Sequence, residues 1–538
     1  MDSSKAARIA EDGAVALDGR LPVMEAGREL LRKAFPDHWS FLLGELALYS
    51  FVLLLLTGVY LTFFFNPSMA EVVYHGSYAP LNGVPVSEAY ASTLRISFDI
   101  RGGLLIRQMH HWAALLFVAS LSVHLLRVFF TGAFRRPREL NWVLGVTLFL
   151  LAVLEGFCGY SLPDDLLSGT GLRTAQGIVL AIPLVGSYLQ FFGFGGEFPG
   201  QAVIPRLYST HILLVPGLLL AVIGAHLTLV VHLKHTQWAV PGRTNRNVVG
   251  MPAFPQFAAR SAGLSFAVFG VSALLGGLAQ INPIWGYGPY RPDIASTDAQ
   301  PDWYVGFLEG ALRLMPPCEI RVAGHTLAFG VLMPTVLLPG LMFAMLYLYP
   351  FFEAWLTGDT GEHHLCDRPR NRPTRTGLGV AAIAFYTVLL LAGGQDVLAD
   401  TFQVSVNGLN WNLRIALLVL PPLSYLITKR VCLGLQERDR ERLIEGDETG
   451  DVRQSVEGGY QEDSEPLPAA RRYLLLSRDL PQPLAEPRSG GPWVDRLRRA
   501  LSGWYHGDRV ELPARPAERA GARAVTAPPG GEEPERVE

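Results

Sequence analysis

The sequence predicts an all-α polytopic membrane protein: eight transmembrane helices followed by a C-terminal cytoplasmic extension. Three observations carry this expectation. Of 538 residues, 49% are apolar and only 17% charged, whereas soluble domains carry about a quarter charged residues. The mean hydropathy is +0.24. Charge is missing from long blocks between Leu42 and Ile427 and returns after Gln436. A net charge of −3 gives no reason to expect a nucleic-acid partner. The four cysteines, Cys158, Cys318, Cys366 and Cys432, form no CxxC or CxxCH pattern. That excludes a covalent c-type haem, a cysteine zinc site and a disulfide framework within the chain.

A membrane-crossing helix needs roughly 20 mostly apolar residues to span about 30 Å of hydrocarbon. The candidates, in order, are Leu42–Phe65, Arg107–Phe130, Val143–Tyr160, Ser209–Val231, Leu264–Ile281, Leu327–Tyr349, Leu378–Ala392 and Leu413–Ile427. The last two are short and are expected to extend by a turn at either end. Residues 1–38 mix both charges and lack a cleavable apolar stretch, so no signal peptide is expected. Basic residues cluster in alternate loops: Arg135, Arg136 and Arg138; Lys234, Arg243 and Arg246; Arg368, Arg370, Arg372 and Arg375. The positive-inside tendency then places both termini in the cytoplasm of a multi-pass cell-membrane protein. The division this suggests is an N-terminal segment (1–38), a four-helix core (39–240), a second four-helix part (241–433) and a charged, partly disordered tail (434–538).

Two apolar loops are too long to be plain connectors. Leu166–Phe192 reads as an amphipathic hairpin bent at Pro183, and Pro301–Met315 as a short helix flanked by prolines. Both fall on the outer side. The tail ends in APPGGEEPERVE, a composition that favours disorder. Within it, Trp493, Leu497, Leu501 and Trp504 share one helical face, which suits either a membrane surface or a docking partner.

A ligating side chain inside a membrane span is costly, so it marks a functional site. The second span holds His110 and His124, 14 residues apart, and the fourth holds His211 and His226, 15 apart. At 100° and 1.5 Å per residue, members of each pair lie within about 40–60° of one face and about 21–22 Å apart along the axis. The two helices run the same way, so His110 meets His211 and His124 meets His226. Each pair is the ligand set of a six-coordinate haem, two neutral imidazoles on one iron. His111 lies off the shared face and is assigned packing or hydrogen bonding. Gly44 and Gly58 on the first span, and Gly145 and Gly159 on the third, repeat the 14-residue register. Small residues are needed where backbones approach a macrocycle, so the first four helices are expected to bundle around two stacked b haems. Arg107 and Arg127, each three residues from a ligand, suit haem propionates.

The motifs RQMH with the later His124 and Arg127, LTG around Gly58, NWVLG and GYSLP around the third span, AIPLVG and QPDWY at Gln300–Tyr304 resemble the cytochrome b subunit of quinol–cytochrome c oxidoreductases. The resemblance runs from about Trp39 to Leu433. The charged tail and the run INPIWGYGPY are most similar to the version in actinobacterial respiratory supercomplexes. Two departures stand out. The family tetrad is usually PEWY, whereas here it is Pro301-Asp302-Trp303-Tyr304, with an acid one methylene shorter. The 15-residue spacing resembles the chloroplast-type branch and should alter haem tilt without removing ligation.

The resemblance implies a low-potential outer haem, a high-potential inner one, and quinol oxidation at the outer side. Asp302 is the candidate base and Tyr304 its hydrogen-bonding partner; Pro301, Trp303 and Gly171 line the quinol pocket. The plainer reading of the tetrad is a helix start with Asp302 at the positive end of the dipole. One electron would leave to a Rieske iron–sulfur subunit. The other would cross both haems to an inner quinone site, where His232, Lys234 and His235 are candidate proton donors or lipid-headgroup residues. The chain has neither Rieske ligands nor a covalent haem motif, which implies iron–sulfur and cytochrome c subunits as partners. The family adds a homodimer, menaquinol as substrate, and union with cytochrome c oxidase. Two other classes compete: a di-haem anchor of a periplasmic dehydrogenase and a proton-coupled secondary transporter. Reduced-minus-oxidised spectra of the purified chain should show b-type absorbance with two haem irons per polypeptide; a transporter would show none.

Overall fold

The computed structural model describes residues 23–294, 300–478, 481–485 and 492–512. The extreme N-terminal segment and the last 26 residues, where disorder was expected, lie outside them. All eight expected spans are helices long and apolar enough to cross a membrane. They are α1 (Leu43–Thr62), α2 (Gly103–Phe130) and α3 (Glu139–Tyr160). Next come the loop helices α4 (Leu166–Leu180) and α5 (Gly186–Phe194), then α6 (Val203–Leu233) and α7 (Ala253–Leu278). The short helix α8 (Trp303–Leu314) precedes α9 (Phe329–Thr357), α10 (Pro373–Gly393) and α11 (Val406–Glu445).

Most spans begin earlier than hydropathy marks them, because polar first turns such as Glu139–Trp142 are helical without being apolar. The eighth differs most. It has 40 residues, about 60 Å at 1.5 Å per residue, twice the hydrocarbon thickness. It starts on Ser405, whose hydroxyl accepts from the Gly408 amide. The change of composition at residue 434 falls inside this unbroken helix.

Helices α1, α2, α3 and α6 form one bundle. Its core is Ala47 and Phe51, Phe117 and Val118, Leu148 and Ala152, Val215 and Leu219, with Tyr304 of α8 closing one end. Each pair lies, within its own helix, between the two positions of the histidine or glycine register. The bundle therefore has a dry apolar middle flanked by two histidine tiers.

The expected hairpin is present. Asp165 caps α4 through its carboxylate, and α4 and α5 are separated by a break that contains Pro183. Leu184 at that break has φ +66 and is 94% exposed. The run after α7 is stapled to α2: Trp112 Nε1 donates to Ala279 O (2.8 Å), Gln108 exchanges two bonds with Ile281, and Arg107 donates to Asn282 O (2.9 Å). The same run reaches the hairpin, where Leu166 N donates to Gly288 O and Tyr290 N to Asp164 O, both at 2.9 Å. Two loop regions far apart in sequence thus form one cap over the bundle.

The opposite end is held by buried charge. Arg375, fully buried, donates to Glu353 (3.0 Å) and Asp367 (2.7 Å). Asp367 also takes Arg372 (3.1 Å) and Arg135 (3.2 Å). Burial alone would raise the Asp367 pKa, but these three guanidinium groups hold it far below the usual carboxylate range.

The described residues of the tail carry regular structure. Asp447–Gln454 and Tyr460–Glu465 pair as an antiparallel hairpin, followed by a helix at Ala469–Leu476. The amphipathic island forms α12 (Trp493–His506) and docks on this chain's own α9. Arg498 Nε donates to Trp355 O (2.6 Å), and the Tyr349 and Tyr505 hydroxyls are 3.1 Å apart. The docked side is Ser502 and Tyr505, whereas Trp493 (67%) and Leu497 (46%) of the expected apolar face stay exposed. Aromatic and polar anchors, not the aliphatic stripe, decide the docking.

Removing one partner of a buried ion pair leaves the other uncompensated, at about 3–5 kcal/mol. Arg375→Met is therefore expected to lower the thermal denaturation midpoint of the detergent-solubilised protein markedly. Arg440→Met, whose bond to Glu437 is half exposed, should leave it within error.

Candidate functional site

The four sequence-predicted histidines sit in two tiers between α2 and α6. In the first, the His110 and His211 rings face each other with centroids 6.1 Å apart and planes at 82°. Two metal–imidazole bonds of about 2 Å, each with about 1.1 Å from nitrogen to ring centre, span about 6.2 Å, so one iron fits between these rings. Both rings are held from behind. His110 Nδ1 is 2.8 Å from the Thr57 hydroxyl, and His211 Nδ1 is 2.9 Å from the Glu155 carboxylate. Each leaves the other ring nitrogen for a metal, the arrangement that fixes a ligating imidazole. In the second tier, the buried Nδ1 atoms of His124 and His226 make no hydrogen bond.

The spacing difference between α2 and α6 is resolved in the backbone. His211 lies in a π-helical turn, Thr210–Leu214. A π-turn absorbs one extra residue, so the 15-residue step of α6 presents its histidines at about the same 40° offset as the 14-residue step of α2.

The register glycines face the histidines themselves. A Cβ on Gly58 would lie 3.3 Å from Cε1 of His110, one on Gly44 3.3 Å from that of His124, and one on Gly159 2.5 Å from that of His211. On Gly145 it would reach only ordinary contact, 3.8 Å from His226. The expectation was close approach to a macrocycle; the contact shown is with the imidazole edge. The glycines make room for the ligand rings.

The two arginines carry spare donors. Arg107 keeps a buried Nη1, and Arg127 a buried Nε, with no partner. Arg127 otherwise lies over the Phe41 ring and near Cys366 Sγ. Paired tiers, unpaired imidazole nitrogens and unpaired guanidinium donors together fit two haems with propionates.

Beside the first tier, PDWY opens α8. Asp302 occupies the helix-capping position, yet its carboxylate makes no capping bond, which disfavours the plain helix-start reading. It instead accepts from His111 Nε2 (3.1 Å) and the Tyr304 hydroxyl (2.9 Å). Tyr304 is 2% exposed. Burial, and then the Asp302 charge, push its phenol well above its ordinary pKa, so it remains a donor. Trp303 packs edge-on to Tyr304 at 5.8 Å. Pro301 follows Gln300, whose carbonyl accepts from the Tyr160 hydroxyl (3.2 Å). Open space surrounds Gly171 on α4.

Comparison with known proteins places the chain in a family. The family profile described as "Cytochrome b(N-terminal)/b6/petB" matches residues 115–289. The chain is 53% identical over 508 residues to a "Cytochrome bc1 complex cytochrome b subunit" of Streptomyces coelicolor, covering 92% of each. It is 53% identical over 462 residues to the Mycobacterium tuberculosis protein of that name, covering 86% of this chain and 83% of that one. The Corynebacterium diphtheriae protein is 47% identical over 525 residues, 96% of this chain and 94% of that one. The chain belongs to the cytochrome b family. A solved chain titled "Hyperthermophilic respiratory Complex III" shares its fold, at TM-score 0.55 and 21% identity, covering 76% of this chain and 98% of that one.

Membership makes this cytochrome b an integral membrane, haem b-binding protein and sets aside the transporter and dehydrogenase-anchor alternatives. Its inner-end candidates separate. His232 and Lys234 are exposed. His235 keeps a buried, unpaired Nε2 and packs on Phe35 at 4.7 Å. Burial, then Lys33 and Arg138, push its pKa down to about 4, so its ring is neutral at pH 7. Sequence reasoning missed Thr57 and Glu155 as ring-orienting residues. The expected packing or hydrogen-bonding role of His111 is met by its bond to Asp302, a partner the sequence did not name. Nothing in the spacing of Glu155 marks it; only the fold brings α3 against α6.

The glycine contacts yield a discriminating prediction. Gly159→Ala should displace His211 and diminish the b-haem absorbance in reduced-minus-oxidised spectra, as should His110→Ala and His211→Ala. Gly145→Ala should leave that absorbance intact.

Proposed function

We propose that this cytochrome b oxidises quinol in a respiratory quinol–cytochrome c reductase, using two stacked b haems. His110 and His211 would hold the outer haem, His124 and His226 the inner one, with residues 39–240 as the di-haem core. Arg107 and Arg127 would pair with propionates. When bound, the haems supply stepwise one-electron transfer across the membrane. The partners are a Rieske iron–sulfur subunit, which takes the other electron, and a cytochrome c subunit. The orientation has both termini in the cytoplasm. Menaquinol as substrate, a homodimer and union with cytochrome c oxidase complete the reading. The names of the relatives, at about half identity over most of the chain, support its respiratory core.

One observation carries the reading: Asp302 is hydrogen-bonded to His111, the neighbour of the ligand His110. Proton acceptor and electron acceptor for a single quinol are thereby held side by side. Quinol must lose two protons as it loses two electrons, and Asp302 is placed to receive one. The Tyr304 hydroxyl steadies the carboxylate, and His111 ties it to α2. The outer ligand His211 is backed by a carboxylate, which makes an imidazole a stronger electron donor. That favours oxidised iron and supports the outer haem as the low-potential one. At the inner end His235, neutral and pointed inward, is better placed to hydrogen-bond a quinone than His232 or Lys234.

A positioned general base contributes about 10²–10⁴-fold. Asp302→Asn is expected to slow quinol oxidation by the assembled complex by about 100-fold or more, with both haem spectra unchanged. Normal turnover in that variant would remove Asp302 from its role.

A further inference from the structure

At the inner end of the molecule, away from the proposed quinol chemistry, a cavity of about 50 Å³ lies where four segments meet. These are the loop after α2, the loop after α6, the stretch before α10, and the end of the tail helix Ala469–Leu476. Its wall includes Arg135, Trp238, Arg368, Asn371 and Arg478, with Asp367 as the acidic member. Four of these residues carry a buried polar atom that has no hydrogen-bond partner: Arg135 Nη1, Trp238 Nε1, Arg478 Nε and Asn371 Oδ1. The Arg135 side chain is only 10% exposed. Three of the four atoms are donors, and an amide half-turn gives Asn371 a fourth.

Buried polar groups left unpaired are costly and rarely accumulate in one place. The charge is also one-sided. Asp367 is already saturated by Arg135 Nη2, Arg372 and Arg375. Arg368 reaches Asp439 only at 3.6 Å, an acid it shares with Arg370 at 3.1 Å. Arg478 meets neutral partners, the Gln436 side chain and the Val510 carbonyl. Unpaired N–H donors on residues around one cavity, with surplus positive charge, are the chemistry that recognises a tetrahedral oxyanion.

We propose that this cavity binds a phosphate oxyanion, either free phosphate or the headgroup of an anionic phospholipid, and so bolts the tail to the membrane domain. Arg135 belongs to the membrane domain and Arg478 to the tail, so one anion would bridge parts of the chain 343 residues apart by their numbering.

The test uses the intact complex and two variants, Arg478→Gln and Trp238→Phe. The second removes one donor with little change of shape, and unchanged b-haem spectra check folding in both. Radiolabelled orthophosphate is offered to delipidated complex. In a second arm, the complex is imaged by cryo-electron microscopy in nanodiscs of phosphatidylglycerol or of phosphatidylcholine alone. The proposal expects tetrahedral density against Arg135 and Arg478, lost in Arg478→Gln, and about tenfold weaker binding in Trp238→Phe. Orthophosphate uptake identifies free phosphate. Density only in phosphatidylglycerol nanodiscs, without uptake, identifies the headgroup. Water alone in the cavity under both conditions, or both variants matching the wild type, overturns it.

Discussion

One pair of imidazoles faces across the bundle in a medium that offers it no water, a second pair of histidines forms the tier beyond, and the rest of the bundle is arranged around them. A histidine in hydrocarbon is costly wherever a nitrogen goes unbonded. The 6.1 Å separation of the first pair leaves room for one metal and for little else. Glycines on α1 and α3 follow from it, because a side chain at Gly159 would occupy the place of the His211 ring. The π-turn at Thr210–Leu214 follows as well, since it returns a 15-residue step to the register of a 14-residue one. Between the tiers, aromatic and aliphatic side chains exclude water from the path joining them.

The two ends of the bundle are built on different physics. At the PDWY end, the cap is held by hydrogen bonds from α2 and the α4 hairpin to the run after α7. Here a short acid, Asp302, comes within hydrogen-bond reach of His111. At the inner end, charge holds charge. Arg375, Asp367, Glu353, Arg372 and Arg135 form a buried network that joins loops following different spans. A network of this kind suits a part that must stay rigid, because breaking any one contact strands another charge.

Much of this was legible from residue order. Spans, hairpin and PDWY helix follow from hydropathy and proline placement, and the histidine tiers from helical arithmetic, because period and spacing are local properties. Boundaries were less legible. Polar first turns are invisible to hydropathy, and the 40-residue α11 runs through the change of composition. The setting of α12 stayed open for a related reason: an apolar stripe shows what is amphipathic, not which surface lies opposite.

Sequence alone determined that this is an eight-span membrane protein with four histidines in two registers, since cost in lipid and helical pitch depend only on which residue follows which. Tertiary structure decided what stands behind and beside those histidines. Glu155 reaches His211, Thr57 reaches His110, and His111 holds Asp302 from 191 positions away. Hydrogen bonds act over about 3 Å, and only the packing of separate helices brings such atoms that close.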